Sequence, residues 1–79
     1  MTRIGQYLQV QDLPRRPGRT TDRWQVLGNG GDVLGVVQWF GRWRQYTFDP
    51  APGTTFNATC LRDIAAWLDK INRERRASR

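Results

Sequence analysis

Histidine is absent from these 79 residues, and cysteine (Cys60), lysine (Lys70) and methionine (Met1) each occur once. Without histidine there is no imidazole base and no Ser-His or Cys-His pair for nucleophilic catalysis. One cysteine completes neither a disulfide nor a tetrahedral zinc set, and a lone free thiol suits a reducing compartment. Long apolar runs are missing as well. Nothing approaches the roughly 18 residues of a membrane span, and residues 1–10 alternate where a signal peptide would be continuously apolar. The seven carboxylates (Asp12, Asp22, Asp32, Asp49, Asp63, Asp69 and Glu74) are scattered, with no spacing that builds a two-carboxylate active site. Gly28-Asn29-Gly30-Gly31 lacks the Lys-Ser/Thr of a P-loop. The expectation is a cytoplasmic protein that is not an enzyme, holds no metal or cofactor, and does not engage a membrane.

Aromatic residues and arginine are what the chain has in quantity. Four Trp, two Tyr and three Phe can each bury roughly 150–250 Å². A chain this short hides only about 60–65% of its unfolded surface, so the aromatics must carry the core, with dimerisation as the remaining aid. Twelve of the thirteen cations are Arg, and the net charge is +6. Residues 14–23 contribute Arg15, Arg16, Arg19 and Arg23 against Asp22; residues 73–79 contribute Arg73, Arg75, Arg76 and Arg79 against Glu74. Those two segments account for the whole net charge. Arginine is the better reader of phosphate and carboxylate, although a GC-rich coding bias also favours it.

The chain reads as one domain over residues 1–79. Residues 1–13 hold an edge strand, with Leu8 and Val10 on one face. Residues 14–22 form a basic loop, marked by Pro14, Pro17 and Gly18. Residues 23–49 form a β-meander. Gly28 to Gly31 is its first turn, Val33 to Phe40 its apolar central strand, and Gly41 its second, tight turn. Asp49-Pro50-Ala51-Pro52-Gly53 should stop the sheet, since proline cannot donate to a ladder. Residues 57–73 form a helix with Leu61, Ile64, Ala65, Leu68 and Ile71 as one apolar stripe, Asn57 or Thr59 as its N-cap, and Cys60 packed at its start. Residues 74–79 are a basic tail. The fold class is therefore α+β: an antiparallel three- to four-stranded meander packed on one C-terminal helix.

Alternation puts Trp24, Val26, Gly35, Val37, Trp39, Tyr46 and Phe48 toward the helix, Gly35 letting the helix come close. It leaves Gln25, Leu34, Val36, Gln38, Gln45 and Thr47 on the far face. That face should be flat, uncharged and partly apolar, rimmed by arginines; a single bulge would invert the assignment.

The run Leu34-Gly35-Val36-Val37-Gln38-Trp39, then Trp43-Arg44-Gln45-Tyr46-Thr47-Phe48-Asp49-Pro50, then Cys60-Leu61-Arg62-Asp63-Ile64 resembles a pattern of short uncharacterised phage and prophage proteins: L-G-x-V-x-W, W-R-x-Y-x-F-x-P, C-L-x-D-I. The likeness covers residues 24 to about 70 and implies a small accessory protein of a mobile element. Three strands and a C-terminal helix are also the plan of integrase amino-terminal and plant AP2-type DNA-binding domains, a likeness of topology alone.

Three functions remain open. Nucleic-acid binding would use Arg15, Arg16, Arg19, Arg42, Trp43, Arg44, Arg73, Arg75 and Arg76, cations for phosphates and an aromatic for base stacking. A protein-binding accessory factor, such as a phage-encoded, anti-CRISPR-like inhibitor of a host or defence complex, would use the same residues as anchors. A self-associating module would bury the far face in a homodimer. For Trp43 and Arg44 the structural alternative is that Trp43 braces the hairpin while Arg44 pairs with a helix carboxylate.

Overall fold

Each turn of the sheet has a local cause. In the computed structural model, which describes residues 2–77, five strands follow one another in space as in sequence: β1 (Thr2–Arg3), β2 (Leu8–Leu13), β3 (Arg23–Gly28), β4 (Val33–Phe40) and β5 (Gln45–Pro50), all antiparallel. Between β1 and β2 the amide of Ile4 donates to the Leu8 carbonyl, and the Arg3 guanidinium holds the carbonyls of Gly5 and Gln6. Between β3 and β4, Gly31 at φ 89° donates to the Gly28 carbonyl, a conformation open to glycine at no steric cost. Between β4 and β5 a four-residue turn, 41–44, closes on the Phe40↔Gln45 pair.

This corrects the strand count from three or four to five. The segment 1–13 is two strands, and β2 lies inside the sheet, between β1 and β3. The sheet also runs one residue further than expected, to Pro50. Proline is tolerated there because β5 is an edge strand and the missing N–H would point away from the ladder.

Cross-strand pairing fixes the faces. Val10↔Val26↔Gly35, Trp24↔Val37↔Phe48 and Trp39↔Tyr46 share the inner face. Leu8, Val10, Val26, Val37 and Tyr46 are buried there with Ile64 and Ile71 of the helix. A register shift between Val26 and Leu27 turns Leu34 inward, where it packs on the core rather than on the far face. Gly35 has a different task from the one expected: a side chain there would collide with the Phe48 ring and the Asp49 carbonyl, so the glycine makes room for a cross-strand aromatic, not for the helix.

The helix α1 spans Ala58–Ala77. Asn57 is its N-cap, its Oδ1 accepting from the Cys60 amide at 2.8 Å. The helix passes residue 73 because Glu74, Arg75 and Arg76 are good helix formers and Arg75 has somewhere to pack: its guanidinium lies 5.2 Å over the Trp39 ring. The expected basic tail is thus helical through Ala77, and Arg79 lies outside the described residues. The core-facing stripe is Cys60, Ile64, Trp67 and Ile71, with Leu68 on its flank. Leu61 is 52% exposed and Ala65 is exposed. The apolar stripe is rotated by about one residue from its expected centre because Trp67 inserts edge-on against Trp24, 4.9 Å between centroids.

Tyr46 ties the layers together. Its ring meets Trp24 and Trp39 edge-on, each at 5.2 Å, and its hydroxyl accepts from the Asp22 amide. Its backbone N–H donates to Asn72 Oδ1 at 2.7 Å, and its carbonyl accepts from Asn72 Nδ2. The buried Asn72 amide therefore occupies the place of a sixth strand on the open edge of β5, one way an edge is protected from pairing.

Candidate functional site

The outer face of the sheet is the surface α1 leaves uncovered. Gln9↔Leu27, Gln11↔Gln25↔Val36↔Asp49, Gln38↔Thr47 and Phe40↔Gln45 are cross-strand neighbours on it. Five of the chain's six glutamines, all but Gln6, stand on this one face. Each primary amide offers two donors and an acceptor. The face is partly apolar as expected, through Leu27, Val36 and Phe40, but it is not free of charge: Arg23 and Asp49 belong to it. Gln38 is fixed on both sides, donating to Asp49 Oδ2 at 3.0 Å and accepting from Arg16 Nη2 at 2.7 Å.

The basic loop folds against this face. Arg16-Pro17-Gly18-Arg19 is a β-turn, with the Arg19 amide donating to the Arg16 carbonyl and Gly18 at φ 74°. Proline then glycine at the two central positions is the type II signature. The turn places two arginines side by side at its first and fourth positions. Together with Arg23, Gln38 and Trp39 they line a cavity of about 190 Å³. Arg15 is employed differently, in an ion pair with Asp22 at 2.8 Å, beside a second cavity shared with Arg75 of α1.

The β4–β5 turn carries the third group. Trp43 is 64% exposed and Phe40 39%, their rings edge-to-face at 4.9 Å. Trp43 does brace the hairpin. Arg42 and Arg44 are exposed on either side of it, and Arg44 sits at φ 54°, a region uncommon for a residue with a side chain. The helix-carboxylate partner considered for Arg44 is absent among the described residues, where the ion pair of the loop is Arg15–Asp22.

Of the nine residues singled out from sequence, Arg16 and Arg19 come together in one cavity, and Gly41 at its rim begins the turn bearing Arg42, Trp43 and Arg44. Arg75 reaches Trp39 from the helix side. Arg73 and Arg76 are exposed on the last turns of α1. Sequence reasoning missed Arg23, Gln38 and Trp39 as site residues. The signal was present in the Pro-Gly turn, which fixes where Arg16 and Arg19 point, and in the alternation that sets Arg23 and Gln38 on one face.

A different surface lies along the β5 edge, where Trp43, Phe48, Leu61, Ala65 and Leu68 line an open apolar groove of about 440 Å³. No helix among the described residues is long and apolar enough to cross a membrane. No group of three or more potential ligands for a metal ion occurs among them either.

Over 72 residues, 90% of this chain and 91% of the relative, the sequence is 31% identical to the "Uncharacterized 9.3 kDa protein" of Acholeplasma phage L2. The chain belongs to the family of that phage protein. The shared stretch is long enough to include both sheet and helix of this chain. No protein-family model matches, and no solved structure matches.

Proposed function

We propose that this is a small accessory protein of phage type that binds single-stranded nucleic acid across the outer face of its sheet. The observation that carries the reading is the sorting of the glutamines: five on the uncovered face, next to arginines from the 14–22 loop and exposed aromatics at the β4–β5 turn. Amide side chains hydrogen-bond base edges, arginines hold phosphates, and Trp43 with Phe40 offers rings on which bases stack.

Size favours a single strand over a duplex. Five strands about 4.8 Å apart make a face roughly 19 Å across, wider than the major groove of about 12 Å. The whole face does not enter a duplex, whereas a single strand lies across it. The test is a titration of fluorescent single- and double-stranded oligonucleotides at about 50 mM salt, with the single strand expected to bind and the duplex to bind more weakly. Absence of binding to both, by folded protein at micromolar concentration, removes this reading.

A second reading is favoured by a separate observation. The groove along β5, with Trp43 and Leu61 more than half exposed, has the aromatic and aliphatic character of a protein-binding hot spot. It supports a protein partner, such as a host or defence complex, or a second copy of the chain. Under that reading Leu61→Asp and Trp43→Ala abolish complex formation, and substitutions of the outer-face glutamines do not.

A further inference from the structure

The cavity formed by Arg16, Arg19 and Arg23 has an imbalance that the sheet face alone does not explain. Three arginines line it and no carboxylate residue does. Of the nearby acids, Asp22 is paired with Arg15 and Asp49 accepts from Gln38, while Asp12 lines, with Asp22, a separate cavity that Arg23 also borders. The contact with Asp49 orients Gln38 so that its Oε1 takes Arg16 Nη2 and holds one arginine at the wall. The Pro17-Gly18 turn fixes the second. The third, Arg23, has its Nε buried with no hydrogen-bond partner, and its Nη1 reaches only the Pro14 carbonyl, at 3.5 Å. The gathering of three like charges is unfavourable, and a bound anion offsets it.

We infer that this cavity receives a terminal phosphate, the monoester at the end of a nucleic-acid strand; the inference deepens the single-strand reading and rests on it. Size and charge select the group. About 190 Å³ is below the roughly 300 Å³ at which pockets begin to enclose drug-sized ligands, so a phosphoryl group enters and a whole nucleotide does not. An internal diester carries one negative charge and continues in two directions. A monoester carries about −1.5 to −2 at pH 7, continues in one direction, and gives forked guanidiniums three oxygens to hold. Gln38 belongs to both the cavity and the outer face, so a strand anchored here runs directly onto the sheet.

The experiment compares one short oligonucleotide in three forms, with a 5′-phosphate, with a 3′-phosphate and with hydroxyls at both ends, and adds a nucleoside monophosphate as a separate probe. One phosphorylated end is expected to bind about tenfold or more tightly than the hydroxyl form, the scale of one charge-assisted hydrogen bond. Arg19→Gln, at an exposed position, and Arg23→Gln should each weaken the phosphorylated form about tenfold more than the hydroxyl form, so that the increment is lost. The increment should shrink between pH 7.5 and 5.5 as the monoester takes up its second proton near pH 6; the chain has no histidine to mimic that change. Equal binding of all three forms overturns the inference and leaves the single-strand reading standing, and an increment that survives both substitutions overturns it too. Binding of the monophosphate alone, lost in Arg19→Gln, upholds the cavity as a monoester receptor and overturns the strand reading. Binding of neither probe overturns both.

Discussion

Asn72→Ala is the substitution whose cost follows most directly from the structure. Asn72 is 8% exposed and gives the β5 edge two hydrogen bonds, to the Tyr46 N–H and carbonyl. Each is worth about 0.5–1.5 kcal/mol net, and an orphaned buried group costs about 1–3 kcal/mol. The neighbouring groove is open and lined by both Tyr46 and Asn72, so water reaches the freed groups and the cost falls toward the lower end, about 2 kcal/mol. For a chain of 79 residues total stability is on the order of 4–12 kcal/mol, so the loss is a substantial fraction. It should lower Tm by about 8–16 °C. Asn72→Asp should cost at least as much, because a carboxylate accepts from the Tyr46 amide but donates nothing to its carbonyl. Thermal unfolding measures the loss, and amide exchange localises it, with Tyr46 losing protection before Val26 or Val37. A Tm within about 2 °C of the parent, with the Tyr46 amide still protected, would refute the view that this side chain closes the sheet edge.

The remaining predictions concern the helix and the β4–β5 turn. Ile64→Ala should cost about 2–5 kcal/mol as a true core truncation, while Leu61→Ala stays within about 0.5 kcal/mol; urea titration of the pair tests the observed helix rotation, and equal costs would contradict it. Arg44→Gly should raise stability by up to about 1 kcal/mol, since glycine adopts the left-handed region without the steric penalty borne by arginine; a fall of similar size in calorimetry would mean that the Arg44 side chain holds the turn. Trp43→Ala should weaken single-strand binding by about 1–3 kcal/mol and leave duplex binding nearly unchanged, read by fluorescence anisotropy.

The helix, the β3–β4 turn and the inner-face residues of β3 to β5 were legible because their patterns are local: a 3.6-residue period, a glycine-rich turn with Gly31 at positive φ, strict alternation. What was not legible depends on contacts between distant residues. β1 has two residues and no pattern of its own; it exists because β2 offers an edge and Arg3 holds the turn between them. Leu34 changes face because of a register shift between β3 and β4 that neither strand announces. Leu61 looks like core on a helical wheel, and it is exposed because Trp67 takes the central position. For the candidate site, the arginines were found by charge, but charge alone did not separate Arg15, which is paired within its own loop, from Arg16 and Arg19, which share a cavity. Only pairing across strands brought in Arg23 and Gln38.

The most direct test of the account is to map where a short single-stranded oligonucleotide touches the isotopically labelled protein by NMR, at about 50 mM salt. At that ionic strength exposed arginine–phosphate contacts remain strong, and four of them give a log–log salt slope near −2.8, a loss of about 50-fold by 200 mM. The account expects the side-chain amides of Gln9, Gln25 and Gln38, the Trp43 indole N–H and the Arg16, Arg19 and Arg23 signals to shift together, with Ile64 and Ile71 unmoved. Shifts confined to Leu61, Ala65 and Leu68, or none at all, would contradict it.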